Sequence, residues 1–396
     1  MDRNNVIGFI LLGVLIIVFF LFQSRNANEA RVEEAAKQEA AKQHTADSIK
    51  RVQDSLYLIN NPLKKDSIIT TIENAPVLVP DSLKKNLSTA AVKKLEDSLQ
   101  LEQKKAIYGP FTASMQGTEK RDSLENEVLK IIFSNKGGRI IKAELKKFKD
   151  YHGGPVDLIN GNSNRFNYNF YYTSDKNINT EDLYFQSQVS ADKQSVVFTA
   201  DLGNGSILEQ SYSFTATDYL LDYNLKMTEF QQIIPARDPI IVLSWKNDMQ
   251  QQEKNSKYER QYSKLYFGET EGDVDYKNSN GELKFENKIK WVSCQQQFFN
   301  TTLIAKNSFE DKGNVAVFAE DTSLFVKECN TELYIAYNNK NAFEFPMQWY
   351  LAPNDYNALS ALNIGLETII PTGSGLIGWI NKWAIMPLFH FLGKFI

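Results

Sequence analysis

Residues 219–227, YLLDYNLKM, decide the fold. Tyr219, Leu221, Tyr223, Leu225 and Met227 alternate with Leu220, Asp222, Asn224 and Lys226. A period of two sends one set of side chains to a buried face and the other toward water or a second layer, as on a β-strand. Just upstream, VVFTADL (196–202) and ILEQSYSF (207–214) flank Gly203-Asn-Gly-Ser206, a hairpin signal. Downstream, further strand-like runs follow at Ile240–Trp245, Lys264–Gly268, Glu282–Glu286, Val315–Ala319, Ser323–Glu328 and Glu332–Tyr337. The run Glu181–Ser187, EDLYFQS, also reads as a native strand. With 18 Tyr and 25 Phe in the chain, a dozen or more short strands between turn residues imply a mainly β domain. The expected form is a large antiparallel sandwich over residues 106–348.

Both flanks differ from this region. Val6–Phe22 reads VIGFILLGVLIIVFFLF, without a charge. At 1.5 Å per residue it makes a helix of roughly 25 Å, the short end of a bilayer span. No small-x-small cleavage site follows, and residues 1–396 place no Cys near it. We therefore read an uncleaved anchor whose Val6, Phe9, Leu12, Leu15, Phe19 and Phe22 face lipid. Its orientation is not set by charge, since Arg3 stands on one side and Arg25 and Arg31 on the other.

Residues 23–105 form a charged linker, helical in part. EARVEEAAKQEAAKQ has almost no apolar face, and Asp-Ser-Ile/Leu triplets recur irregularly from Asp47 to Leu99, interrupted by Pro62, Pro76 and Pro80. Residues 349–372 are expected to connect by a helix, because Ala358, Leu359, Leu362 and Leu366 have helical spacing. Residues 373–396 then read as an amphipathic helix in the membrane interface. Trp379, Lys382, Trp383, Phe389 and Lys394 supply the apolar and cationic groups, and Pro387 kinks it.

Composition closes off several functions. Lys plus Arg number 44 against 48 Asp plus Glu, a net charge of −4, which gives nucleic acid no basic face. His44, His152 and His390 are too scattered for a metal cluster or a catalytic pair. Gly373-Ser-Gly-Leu-Ile-Gly378 matches G-x-G-x-x-G but lacks the later acid that a dinucleotide site needs, so it reads as an elbow. Glu269, Glu271, Asp273 and Asp275 could share a face to hold Ca²⁺ but are expected to be a solvated hairpin tip. Cys294 and Cys329 could pair in an oxidising compartment or remain buried thiols. No cofactor, metal or small-molecule ligand is expected.

Several motifs, in order, resemble the YidC/Oxa/Alb family of membrane-protein insertases. They are Glu125–Arg139 with its Gly137-Gly138 turn, similar to the family's first strand; Tyr212–Met227; Trp291-Val-Ser-Cys-Gln-Gln-Gln-Phe298-Phe299; and Trp349-Tyr350-Leu-Ala-Pro353, with Ala352 in place of the family's Gly. Gly378-Trp379 and Pro387-Leu-Phe389 complete the set. The resemblance implies a cytoplasmic N-terminus (residues 1–5) and a periplasmic β-supersandwich resembling galactose mutarotase. It also implies a bacterial inner-membrane location, and Sec translocon components and nascent membrane proteins as partners. The family's five-helix core and its groove Arg are expected beyond Ile396. This part is thus the non-catalytic anchor and periplasmic domain. The alternative is a membrane-anchored sugar-binding or epimerising module. Epimerisation needs a His and a carboxylate as acid and base, and His152 is the one histidine between residues 106 and 348.

Overall fold

The computed structural model describes residues 89–171, 177–215, 219–234, 239–320, 325–338 and 341–371. The expected anchor at 6–22 and interfacial helix at 373–396 lie outside these residues. Among the described residues no helix is long and apolar enough to cross a membrane.

Helix α1 (Thr89–Tyr108) is built mainly from Ala, Lys, Glu, Gln and Leu, all good helix formers. Leu99 and Leu101 are exposed on it. It runs across the expected linker boundary at 105 and stops where Gly109 turns to positive φ (57°) ahead of Pro110. Pro110 lacks the N–H that a helix interior needs.

Strands β1 (Arg121–Glu125), β2 (Leu129–Ser134), β3 (Arg139–Lys149) and β4 (Pro155–Asn160) form one antiparallel sheet in sequence order. Then come β5 (Asn164–Tyr171), β6 (Asn177–Asn179), β7 (Gln186–Val189), β8 (Ser195–Asp201), β9 (Ile207–Phe214), β10 (Leu220–Thr228) and β11 (Ile240–Met249). Helix α2 (Ser256–Tyr262) precedes β12 (Lys264–Glu269), β13 (Val274–Lys277), β14 (Gly281–Lys284) and β15 (Ile289–Gln295). The last strands are β16 (Phe299–Phe309), β17 (Gly313–Phe318), β18 (Lys327–Ala336) and β19 (Ala342–Pro353), followed by the short helix α3 (Tyr356–Ser360). The second sheet has nine strands, ordered β13-β12-β15-β16-β19-β10-β9-β8-β7, and the third has six, ordered β14-β17-β18-β11-β5-β6. The architecture is thus mainly β and antiparallel, as the period-two reading implies.

Parity along the strands assigns the layers. In β10, Leu221, Tyr223, Leu225 and Met227 are buried, and Trp349 of β19 meets Trp245 of β11 edge-on at 5.1 Å between ring centres. Residues of opposite parity, Leu220, Trp291, Ile304, Tyr350 and Ala352, are buried too. The segment after β19 covers them with Leu359, Leu366 and Ile369. The central strands are therefore dry on both faces where this segment packs, which is why Leu220 departs from simple alternation.

Four sequence expectations need correction. The runs at Ser323–Glu328 and Glu332–Tyr337 are not two strands. Residues 327–336 form the single strand β18, in which Lys327, Cys329, Thr331, Leu333 and Ile335 are successively buried; Ser323 and Leu324 lie outside the described residues. The expected connecting helix from 349 is strand as far as Pro353, because the buried alternation of Phe343, Phe345, Met347, Trp349 and Leu351 carries on. Only Tyr356–Ser360 is α-helical there, capped by the Asp355 side chain accepting from Ala358 N. The Glu125–Arg139 run is not the first strand; it spans the end of β1, all of β2 and the turn into β3. Of EDLYFQS, only Gln186 and Ser187 lie in a strand, while Leu183 and Phe185 are buried in the segment before it.

Gly268 and Trp291 are direct cross-strand partners, and the Trp291 ring lies over Gly268. A Cβ there would sit 2.3 Å from the indole. Gly268→Ala is expected to displace Trp291 and cost about 1–3 kcal/mol, read as a lower denaturation midpoint. Gly272→Ala, at an open turn with positive φ, should lose less because it meets no neighbour.

Candidate interaction surface

The family-motif residues fall into two buried clusters and one exposed position. Gly137 and Gly138 form the β2–β3 turn with φ of 86° and 62°. Their carbonyls reach into the nine-stranded sheet: Gln210 Nε2 donates to Gly137 O and Tyr212 OH to Gly138 O, both at 2.9 Å. Tyr223 OH donates to Gln210 Oε1 at 2.8 Å, and Tyr168 OH on the six-stranded sheet lies 2.8 Å from Tyr223 OH. Since the Tyr223 proton is engaged, Tyr168 donates to it. Burial pushes the phenols of Tyr168, Tyr212 and Tyr223 far above their ordinary value, so none ionises. The second cluster is Trp291 with Tyr350, whose strand ends at Pro353. Trp291 Nε1 donates to Ile364 O at 2.8 Å, fixing the segment after β19 to the sheet. Phe299 is buried against Phe148, with ring centres 5.5 Å apart. Phe298, its neighbour, is 50% exposed.

That exposed ring has company. At one end of the nine-stranded sheet, Lys264 pairs with Gln295, Gln295 with Asn300, and Phe299 with Pro353. The corresponding end of the six-stranded sheet carries the pairs Met249–Lys327 and Phe318–Glu328. Lys327 bridges the two ends: its buried ammonium donates to Ser263 O, to Asn278 O at 2.8 Å and to Asn278 Oδ1 at 2.6 Å. Burial lowers its pKa to about 8. The β3–β4 turn joins them through Tyr151 N donating to Gln252 O.

At this end stand Tyr151, Tyr258, Tyr262, Tyr276, Phe298 and Phe318, each 40–50% exposed. Among the described residues, the other exposed large hydrophobics are Leu99 and Leu101 of α1. Lys147, Lys149, Lys254 and Lys257 are exposed nearby in sequence, and the Lys264 ammonium sits 4.0 Å from the Tyr276 ring centre. The opposite end holds the N-terminal entry to the sandwich and the stretch around Gly365. Phe111 stacks on Phe170, paired with Ile178 at the far end of β5, and Gly365 packs beside Gly272 and Val274 at the β12–β13 tip.

Glu259 ties the aromatic end together. It is 1% exposed, and its carboxylate accepts from Gln252 N, Glu253 N and Gln296 Nε2 at 3.1–3.2 Å. Burial pushes it up to about 7 despite these donors. Gln296 Nε2 also donates to Gln250 O, and Asn354 Nδ2 to Gln296 O. Sequence reading found none of these ties. Gln and Glu in polar loops carry no periodic signal, and only Asn255 as an N-cap three residues before Tyr258 marks the local helix.

The remaining candidates do not assemble into chemistry. His152 lies exposed on the β3–β4 turn with its ring against Tyr151. Glu269, Glu271, Asp273 and Asp275 surround the β12–β13 tip, the hairpin expected of them. Among the described residues no group of three or more His, Cys, Asp and Glu is placed to hold a metal. Cys294 and Cys329 are buried free thiols. A cleft of about 710 Å³ beside edge strand β7 is lined by Gly117, Asn135, Tyr184, Gln186, Thr199 and Asp201.

The profile of the YidC periplasmic domain matches residues 121–388. The chain belongs to the YidC family. Membrane protein insertase YidC of Parabacteroides distasonis is 29% identical over 408 residues, covering 100% of this chain and 60% of that protein. Membrane protein insertase YidC of Bacteroides fragilis strain ATCC 25285 is 27% identical over 400 residues, covering 99% and 58%. The chain thus spans about 60% of the length of such YidC relatives. Among solved structures, a putative aldose 1-epimerase from Escherichia coli aligns with a TM-score of 0.37 at 12% identity, covering 59% of this chain and 99% of that one. A galactose mutarotase-like protein from Lactobacillus casei gives 0.38 at 10%, covering 59% and 100%. Likenesses this weak carry no functional argument. Family membership agrees with the expectation that the chain is not an enzyme.

The raised Glu259 carboxyl sets a pH dependence. Between about pH 4.5 and 7 the folded protein holds a proton that the unfolded chain has lost, so stability falls as pH rises through this window. Thermal midpoints at pH 5 and 7.5 should differ by a few degrees from this site, and Glu259→Gln should flatten that slope.

Proposed function

We propose that this chain is the membrane-anchored periplasmic part of an insertase. On this reading residues 1–5 are cytoplasmic, 6–22 span the inner membrane, and 23–105 space the sandwich from the bilayer. The domain at 106–348 is a β-supersandwich, 349–372 connect it, and 373–396 lie in the interface before the insertase core. Val6, Phe9, Leu12, Leu15, Phe19 and Phe22 anchor; Trp379, Lys382, Trp383, Pro387, Phe389 and Lys394 rest on lipid. The buried motif residues Gly137, Gly138, Trp291, Phe299 and Tyr350, with the half-buried Pro353, hold the domain together.

The sandwich serves as a docking surface for Sec translocon components and nascent membrane proteins. One observation carries this: the six exposed aromatics gather at a single end, away from the N-terminal entry to the sandwich at Phe111. Aromatic rings held at about half exposure supply large, rigid contact area at low entropic cost, which suits a protein interface. Because the N-terminal entry that leads back to the proposed anchor lies at the other end, the occupant is read as protein rather than lipid.

The test uses the complete protein in membranes, with a photoreactive phenylalanine analogue replacing Tyr258 or Phe298. The expected products are adducts with a translocon subunit or a nascent membrane protein. They should fall several-fold when Tyr151, Tyr262 and Phe318 are also changed to Ser. Adducts with lipid alone, or adducts indifferent to those changes, would contradict the reading.

A further inference from the structure

The two cysteines meet across the two largest sheets. In β18 the side chains of Lys327, Cys329, Thr331, Leu333 and Ile335 are buried in alternation and face the nine-stranded sheet. Lys327 fixes the depth of this row, because its ammonium donates to Ser263 O. The next residue, Lys264, pairs with Gln295, and Leu265 pairs with Cys294. Cys294 has the parity of Val292, opposite to Trp291, and so points inward. One step in from the Lys327 plug, Cys329 therefore faces Cys294, and the two thiols are hydrogen-bonded to each other. Both are free and no more than 2% exposed.

We infer that Cys294 and Cys329 are a disulfide-forming pair that cross-links the nine-stranded and six-stranded sheets under oxidising conditions. The family's periplasmic assignment supplies such conditions, and the oxidant belongs to the class of disulfide donors. One cysteine thiolate attacks a donor sulfur and expels a donor thiolate, leaving a mixed disulfide. The second cysteine loses its proton and attacks the protein sulfur of that bond, expelling the other donor thiolate. Two protein S–H groups and one donor disulfide become one protein S–S bond and two donor thiols; the protein sulfurs are oxidised and the donor reduced.

The surroundings set when this happens. The hydrogen bond to Cys294, then burial, hold the Cys329 thiol well above its ordinary value. Lys327 and its three acceptors close the end above it. A bulky donor has no approach to the folded pair, since only the thiolate reacts and both sulfurs are covered. The bond therefore forms while the sandwich is closing, and it is afterwards shielded from reductants by the same packing. It encloses residues 295–328, which contain β16, β17 and two of the six exposed rings, Phe298 and Phe318. Its effect is to keep that end assembled when the domain is strained.

The experiment refolds the full chain from denaturant at pH 8 with a mixture of glutathione disulfide and glutathione. The product is quenched in acid, unfolded without reductant and alkylated, and its mass is read. The expected result is no alkylated cysteine, a mass lower by two hydrogens and a single-chain species. The thermal midpoint should also rise by several degrees over the reduced protein and return once the chain has been unfolded with a phosphine reductant and refolded in its presence, a shift absent from Cys294→Ser and Cys329→Ser. Two alkylated cysteines after the same refolding, or chains linked to one another through either cysteine, would overturn the inference.

Discussion

The structure depends on one buried chain of hydrogen bonds. It runs from Tyr168 on the six-stranded sheet through Tyr223 and Gln210 on the nine-stranded sheet to the Gly137 carbonyl of the four-stranded sheet. Every link is inside the protein, where an unpartnered polar atom costs about 1–3 kcal/mol. Tyr212 adds a parallel link to Gly138 O. Three sheets of different strand order are thereby held at one relative placement that apolar packing alone would leave degenerate. The glycines are needed because the turn uses positive φ and because a Cβ on Gly138 would lie 2.7 Å from Gln210 Nε2.

A second constraint closes the opposite face of the central sheet. The segment after β19 has little regular structure of its own, yet Leu359, Leu366 and Ile369 are fully buried on Trp291, Tyr350 and Ala352. The indole can lie flat because Gly268 leaves room, and its N–H is satisfied by Ile364 O. The strand-ending motif at 349–353 is thus coupled to the course of the chain beyond it. With both faces of the sheet dry where this segment packs, little apolar surface is left over. What remains exposed is concentrated at one end, on loops tied by Glu259, Gln296 and Lys327.

Much of this was legible from residue order. The alternation in Tyr219–Met227, the Gly-Asn-Gly hairpin at 203–205 and the acidic tip at 269–275 are local, and local rules suffice for them; the Gly137-Gly138 turn comes from the family resemblance. Asn330 and Thr331 interrupt the apolar character of β18, so its sequence reads as two runs; cross-strand pairing to β11 and β17 keeps them in register. The expected helix from 349 failed because tertiary burial of Trp349 and Leu351 overrides short helical spacing further on. The aromatic end could not be read at all. Its six rings come from the short helix α2, which carries Tyr258 and Tyr262, and from separate turns and strand ends between residues 151 and 318, and only the topology brings them together. A buried Lys327 is likewise invisible, since nothing in KECNTELYIA distinguishes a sealed ammonium from a solvated one.

The central claim is that the Tyr168–Tyr223–Gln210 chain acts as one unit in joining the sheets. A double-mutant cycle in denaturant unfolding tests it most directly, using Tyr168→Phe, Tyr223→Phe and the pair. Removing the Tyr223 hydroxyl strands both the Gln210 acceptor and the Tyr168 donor, so the account predicts a coupling of about 1 kcal/mol or more between the two changes. Additivity within about 0.3 kcal/mol would contradict it.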